Sequence, residues 1–146
     1  MSRAAKAVAD LKAGFSCSQA VLAAFAEDLG LDVNLARRIA GGFGGGMGRL
    51  GLTCGAVTGA MMVIGLKHGA ASAADLPAKQ KTQQLVREFM QQFTARHESL
   101  ACRDLLGADI STPEGSERIK QENLIANLCP GFVTTAVEIL DELMQR

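Results

Sequence analysis

The chain has 146 residues, a length that suits one domain over residues 1–146 whose core needs no disulfide bonds for stability. Fifteen Lys and Arg balance fifteen Asp and Glu, so no basic excess is available to neutralise nucleic-acid phosphates. Tyr and Trp, whose rings stack on bases, are absent, and nucleic acid is therefore excluded as a partner.

The N-terminal segment, MSRAAKAVADLKAGF, alternates charged and apolar residues at helical spacing. A secretory signal would instead need an unbroken apolar run. We therefore predict a cytoplasmic protein, in which a reducing thiol pool keeps ordinary cysteines unpaired. The longest apolar run, residues 50–66, is broken by glycines and threonines and is shorter than the ~20 residues of a membrane helix, so no membrane span is predicted.

Helical periodicity continues along almost the whole chain. A first helix covers the N-terminus, a second begins after Ser16, and a third begins after Asp32. A glycine-rich segment, residues 41–51, leads into a fourth helix that runs from about Thr53 to His68. Its Gly55-x-x-x-Gly59 spacing removes side-chain bulk from one face and lets another backbone approach closely.

The second half of the chain continues in the same way. A long helix begins after Asp75, a short one after Ser99, and the last two at Pro113 and Pro130, because proline favours the first turn. No segment alternates with a period of two, which excludes a sheet. The predicted fold is all-α, a compact helical bundle around a central, buried Gly/Ala-rich helix.

All four cysteines are predicted at helix starts. Backbone N–H groups and the positive end of the helix dipole favour a thiolate there, and the thiolate is the form that attacks disulfides and binds metals. A buried cysteine can equally serve as a small hydrophobic residue. The predicted positions are the first residue after the Ser16 cap for Cys17, the first after Thr53 for Cys54, the third after Ser99 for Cys102, and the residue before Pro130 for Cys129.

Local signatures narrow the chemistry. The chain has no Cys-x-x-Cys, which excludes a thioredoxin-type site, a zinc knuckle and a covalent c-type haem site. Residues 46–51 match Gly-x-Gly-x-x-Gly but follow a helical pattern where a dinucleotide site requires a strand. Arg49 is the only charge between residues 39 and 66; it either extends to solvent, stabilises a thiolate or binds an anion. We predict a binding segment formed by Gly45, Gly46, Gly48 and Arg49.

The sequence resembles the C_GCAxxG_C_C family, which is named for its cysteine pattern. The core motif is Cys54-Gly55-Ala56-Val57-Thr58-Gly59, and the remaining cysteines lie in FSCSQAV, CRDLLG and LCPGFV. The resemblance spans nearly the whole chain. It implies a small, cytoplasmic, helical protein with a thiol or metal redox role and leaves the reaction open; haem is not implied, because Cys-x-x-Cys-His is absent.

Three functions follow as alternatives. In the first, Cys54 is a low-pKa attacking thiol that cycles between dithiol and disulfide with Cys17, Cys102 or Cys129, acting on a redox partner or a small anionic or thiol substrate. In the second, the four thiolates bind zinc or an iron–sulfur cluster. In the third, the cysteines only pack, and the chain is a non-catalytic interaction module that forms a twofold homodimer.

Overall fold

The computed structural model describes all residues from 1 to 146 and contains eight α-helices and no β-strand, which confirms the all-α prediction. Two short 3₁₀ turns, Glu27–Leu29 and Gly41–Phe43, follow the second and third helices. The helices are α1 (Arg3–Lys12), α2 (Cys17–Ala26), α3 (Val33–Ala40), α4 (Gly55–His68), α5 (Leu76–His97), α6 (Cys102–Leu106), α7 (Pro113–Gln121) and α8 (Leu124–Leu143).

Side-chain caps explain where most of these helices begin. In each case a hydroxyl or carboxylate oxygen accepts the N–H three residues further on and satisfies one of the open donors of the first turn. Ser16 and Gln19 form the complete reciprocal capping box that the sequence predicts at the start of α2. The capping residues are Ser2, Ser16, Asp32, Asp75 and Thr112.

Helix α4 lies at the centre of the bundle, as predicted. Its residues from Gly55 to Ala60 are all buried, so the helix has no solvent-facing side over this stretch. Helices α2, α5 and α8 pack around it. One cluster of 29 buried apolar side chains forms a continuous core.

The glycines of α4 allow α2 to approach closely. A Cβ atom at Gly55 would lie 2.8 Å from the Ser18 backbone nitrogen, and one at Gly59 would lie 2.9 Å from the Ser18 carbonyl oxygen. Both distances are far below an ordinary carbon contact, and the atoms met are backbone, which cannot rotate away. The predicted Gly-x-x-x-Gly packing is therefore confirmed, and its partner is the first turn of α2.

Two helix starts differ from the prediction by one turn or less. Thr53 does not cap α4, because its backbone pairs with Ala101 in an isolated antiparallel bridge. Cys54 is consequently the N-cap of α4 rather than its first residue. The same bridge makes Ala101 the N-cap of α6, so Cys102 is the first residue of that helix and not the third.

The predicted start of the last helix at Pro130 is wrong. Helix α8 begins at Leu124, after Asn123 adopts a left-handed conformation with φ 53°, and the Asn123 carbonyl accepts the N–H of Asn127. Pro130 therefore lies inside the helix, and Cys129 occupies its second turn. Proline is tolerated there because the helix loses a single backbone hydrogen bond early in its course.

By length and composition α8 could cross a membrane. Its apolar side chains from Phe132 to Leu143 are buried in the core, where Val133, Val137 and Leu140 are fully enclosed. A core helix of a helical bundle can have the same length and apolar composition as a membrane helix. The composition of α8 therefore reflects its packing against α1, α4 and α5.

A four-cysteine cavity as the candidate functional site

The four cysteines come from four different helices and line one cavity of about 630 Å³. Cys17 opens α2, Cys54 caps α4, Cys102 opens α6, and Cys129 lies in the second turn of α8. Cys54, Cys102 and Cys129 are buried, whereas Cys17 is partly exposed. Folding thus brings four cysteines into one cavity, although their spacing in the sequence does not indicate a common site.

Backbone contacts hold three of these cysteines in place. The Cys54 N–H donates to the Leu100 carbonyl at 2.8 Å, and the Cys102 N–H donates to the Leu52 carbonyl, so the starts of α4 and α6 lie side by side. On the other side of Cys54, a Cβ atom at Gly55 would come within 3.2 Å of the Cys17 Cβ. The glycine after Cys54 in the family-type motif is therefore what allows α2 to bring Cys17 alongside.

The glycine-rich segment forms one wall of the cavity. Five consecutive residues, 45–49, have left-handed backbone conformations with φ between 60° and 74°. Glycine adopts this conformation freely, but Met47 and Arg49 do so at a cost of roughly 1–2 kcal/mol each. A Cβ atom at Gly46 would lie 2.8 Å from the Cys102 Cβ, so only glycine lets the segment rest on that cysteine.

The structure brings all four predicted binding residues to the cavity. Gly45, Gly46, Gly48 and Arg49 line the same space as the cysteines. Their binding role remains a prediction, since the geometry shows position and not occupancy. The neighbouring glycines 41, 42 and 44 line it as well.

Apolar side chains that the sequence analysis did not single out complete the cavity. They come from α1, α6, α8 and the segments that follow α1 and α6, and the tertiary fold brings them to the cysteines. Their presence makes the walls largely dry and raises the cost of ionising a thiol inside. They are Leu11, Phe15, Leu105, Leu106, Ile110, Ile125 and Phe132.

Burial outweighs the helix N-terminus at two of the cysteines. Burial raises the pKa of Cys54 to about 12, although the N–H groups of Ala56 and Val57 act to lower it. Burial, with the charges of Cys129 and Asp109, raises the pKa of Cys102 to about 11, against the opposing charge of Arg49. The predicted low pKa of Cys54 is therefore wrong: in this fold both residues are neutral thiols near pH 7.

Cys17 and Cys129 line the cavity together, and the ionisation of each thiol depends on the other. A hydrogen bond from Cys17 lowers the pKa of Cys129 below its ordinary value, in spite of burial. The same interaction, reinforced by burial, raises the pKa of Cys17 well above its ordinary value. Of the four cysteines, Cys129 is therefore the one whose pKa lies below its ordinary value.

A polar residue missed by the sequence analysis supports the Cys17 side of the site. Ser18 is fully buried, and its hydroxyl donates to the Ala40 carbonyl at 2.9 Å, which ties the start of α2 to the end of α3. Gln19 adds a second tie through a 3.0 Å hydrogen bond to the Arg37 carbonyl. A serine on the apolar side of α2, directly after a cysteine, is the sequence signal that marks this position.

His97, the last residue of α5, lies behind the cavity. Its ring packs against Phe93 and edge-on against Phe132, with ring centres 4.9 and 5.0 Å apart. Its Nε2 atom lies 2.9 Å from the Thr135 hydroxyl, and burial lowers its pKa. Since Phe132 lines the cavity, His97 fixes one of the walls and does not contact the thiols.

The cysteines surround a space instead of converging on a point. No group of three or more His, Cys, Asp or Glu side chains lies close enough to hold a single metal ion. The four sulfurs therefore share a cavity without forming a tetrahedral site in this conformation.

Comparison with known proteins gives one match. A family model described as "Putative redox-active protein (C_GCAxxG_C_C)" matches residues 15–143, from the residue before the Ser16 cap to the last residue of α8. The matched region contains all four cysteines and the glycine-rich wall. No curated protein and no solved structure matches the chain.

Proposed function

The chain belongs to the C_GCAxxG_C_C family. On that premise we propose that it is a thiol redox protein whose Cys17 and Cys129 cycle between dithiol and disulfide. One observation carries the proposal: Cys17 and Cys129 line the same cavity, where hydrogen bonding from the Cys17 thiol lowers the pKa of Cys129. A stabilised thiolate beside a second thiol is the arrangement that disulfide exchange requires.

The reaction runs in two steps with a disulfide as the oxidising substrate. The Cys129 thiolate attacks one sulfur of the substrate, which forms a mixed disulfide with Cys129 and releases the other half as a thiolate. Cys17 then loses its proton to that leaving thiolate or to solvent and attacks the Cys129 sulfur. The products are a Cys17–Cys129 disulfide and two substrate thiols, so two electrons pass from the protein to the substrate.

An external dithiol closes the cycle by reducing the Cys17–Cys129 disulfide. In the cytoplasm that the sequence predicts, the reducing thiol pool makes the dithiol the resting form. Cys54 and Cys102, whose pKa values are raised to about 12 and 11, stay protonated and do not compete with Cys129 as nucleophiles. This assigns the attacking role to Cys129 instead of Cys54.

Single-turnover reaction of the reduced protein with a small neutral disulfide, quenched in acid and followed by mass spectrometry, tests the assignment. Wild-type protein is expected to pass through a mixed disulfide to an internal disulfide. The Cys17→Ser variant, in which a hydroxyl can still donate to Cys129, is expected to stop at the mixed disulfide on Cys129. Cys129→Ser should not react, and Cys54→Ser should react like wild type.

Two results would reject the proposal. One is a mixed disulfide that forms on Cys54 or Cys102 in the Cys17→Ser variant. The other is a Cys54→Ser variant that fails to react although its circular dichroism and unfolding curve match those of the wild type.

An iron–sulfur cluster is a second candidate, favoured by the single observation that all four cysteines line one cavity. A cluster with four cysteine ligands is larger than a single ion and suits thiols that surround a space. Anaerobic purification followed by metal analysis and a visible spectrum distinguishes the two candidates. A colourless, metal-free protein with four titratable thiols would exclude the cluster.

A further inference from the structure

We propose that the cavity selects a low-molecular-weight disulfide that carries a carboxylate, with the carboxylate held by Arg49 and by the N–H groups of Gly45 and Gly46. This inference deepens the thiol redox function and rests on it. It names the class of substrate that the Cys17–Cys129 pair would reduce.

The first argument is the charge of the cavity wall. Among all the residues that line the cavity, Arg49 is the only one with a permanent charge; no Asp, Glu, Lys or His contributes to it. Its guanidinium forms no ion pair with any carboxylate of the protein. An anion that enters this largely apolar space therefore meets one positive charge that no carboxylate of the protein pairs with.

The second argument is a set of open donors beside that charge. The N–H groups of Gly45 and Gly46 donate to no acceptor in the protein, whereas the N–H groups of residues 47–49 are all used within the loop. Gly46 is buried, and a buried N–H without an acceptor is rare in folded proteins. A carboxylate accepts such hydrogen bonds well, and consecutive N–H groups in left-handed turns form anion-binding concavities.

The third argument places the charge and the sulfurs together. Arg49 packs on the loop so closely that a Cβ atom at Gly45 would lie 2.9 Å from the Arg49 Cγ. Arg49 lines the same cavity as the four cysteines, and its positive charge acts to lower the pKa of Cys102 against the effects of burial and Asp109. A ligand whose carboxylate contacts Arg49 can therefore reach the thiols within one cavity.

The cavity is too large to be shaped for a very small oxidant such as a peroxide. About 630 Å³ lies within the range of sites that enclose small organic molecules, and a peroxide would leave most of it empty. The apolar walls formed by Leu105, Ile110 and Phe132 suit the methylene groups that connect a disulfide to its carboxylate.

Three disulfides of similar size and different charge test the proposal: dithiodipropionate, which is dianionic, 2-hydroxyethyl disulfide, which is neutral, and cystamine, which is dicationic. The rate at which each oxidises the reduced full-length protein is divided by its rate with a free thiol, to remove intrinsic reactivity. Wild-type protein is expected to prefer dithiodipropionate over the neutral probe by about tenfold, the effect of one charge-assisted contact.

Arg49→Gln is expected to lose that preference, so that the ratio of its normalised rates with dithiodipropionate and with the neutral probe falls to about one. The matched control is Arg87→Gln, which removes the same charge from an exposed residue of α5 that does not line the cavity. An Arg49→Gln variant that keeps the wild-type preference, or a wild type that prefers cystamine, would overturn the substrate assignment.

Failure of the underlying redox function gives a different result. In that case none of the three probes forms an internal disulfide in the wild type, and both the redox function and the proposed substrate class are rejected. Thiodipropionate, the unreactive thioether analogue, separates recognition from reaction: its binding to wild type, measured by calorimetry, should weaken about tenfold in Arg49→Gln and not in Arg87→Gln. Equal affinity in all three proteins would contradict the anion site itself.

Discussion

The reactivity of a cysteine in this protein depends on its partner more than on its place in a helix. Cys54 has the helix N-terminus and still has a pKa raised to about 12, because burial removes the solvation of a thiolate. Cys129 lies inside a helix, and its pKa is lowered because a neighbouring thiol donates to it. At Cys54 burial therefore outweighs the helix dipole, which acts only over the first turn.

The pH dependence of alkylation tests this order of reactivity. With iodoacetamide and peptide mapping, Cys129 is expected to react first as the pH rises, with an apparent pKa below the ordinary thiol value. Cys54 and Cys102 should remain unlabelled until strongly alkaline pH. In Cys17→Ala, which removes the donor, Cys129 should need a higher pH. The order would be contradicted by Cys54 reacting before Cys129.

The sequence predicts which residues line the cavity better than it predicts their pKa values. The four cysteines and the Gly45–Arg49 segment could be recognised because a motif and a lone charge mark them. The pKa directions could not, because they depend on burial and on the Cys17–Cys129 contact, which joins residues far apart in the chain. Neither burial nor the interaction between Cys17 and Cys129 can be predicted from the residues next to each cysteine in the sequence.

Among the helices, the contact between α2 and α4 positions the site. The backbone of Ser18 packs closely against two glycines of α4, Gly55 and Gly59. This contact also fixes the position of Cys17, the residue before Ser18. Helix propensity alone would favour alanine at both positions. The presence of glycine therefore indicates that close packing of the two helices stabilises the fold by more than the lower helix propensity of glycine costs.

Gly59→Ala is expected to lower the free energy of unfolding by about 1–3 kcal/mol, because the new Cβ would lie 2.9 Å from the Ser18 carbonyl oxygen. The matched control is Gly65→Ala in the same helix, where a Cβ would meet nothing within 4 Å. That variant should be neutral or more stable by up to about 1 kcal/mol. Urea unfolding of the two variants measures the difference; equal destabilisation would mean that close packing is not the role of Gly59.

Helix starts were predictable where a side-chain cap determines them and not where the backbone does. Ser16, Asp32, Asp75 and Thr112 cap as their types suggest. The starts of α4 and α6 shift because a bridge between Thr53 and Ala101, 48 positions apart, takes over the local geometry. The start of α8 depends on the left-handed Asn123, which sequence patterns mark less clearly than a proline.

At the scale of the whole molecule, the buried thiols couple stability to pH. Cys17, Cys54 and Cys102 have raised pKa values in the folded state, so the unfolded chain releases their protons at lower pH than the native protein. The contribution of these three thiols to the free energy of unfolding is fully present below the unfolded thiol pKa of about 8.5. It is lost as the pH rises toward their pKa values in the folded protein. Cys129, with a lowered pKa, acts in the opposite direction.

Under reducing conditions the free energy of unfolding is therefore expected to fall between about pH 8.5 and 11, by up to about 1.4 kcal/mol per pH unit for each raised thiol. Cys54→Ala removes one of these groups and should give a shallower fall over the same range. Denaturant unfolding at a series of pH values measures both slopes. Parallel curves for the two proteins would mean that Cys54 ionises equally in both states.

The central claim is that Cys17 and Cys129 form the redox pair of a cavity that all four cysteines line. Equilibration with mixtures of reduced and oxidised dithiothreitol, followed by acid quench and differential alkylation of each cysteine, tests it most directly. The account predicts that Cys17 and Cys129 become protected together at one midpoint while Cys54 and Cys102 stay labelled. A disulfide that contains Cys54, or four cysteines labelled equally at every potential, would contradict it.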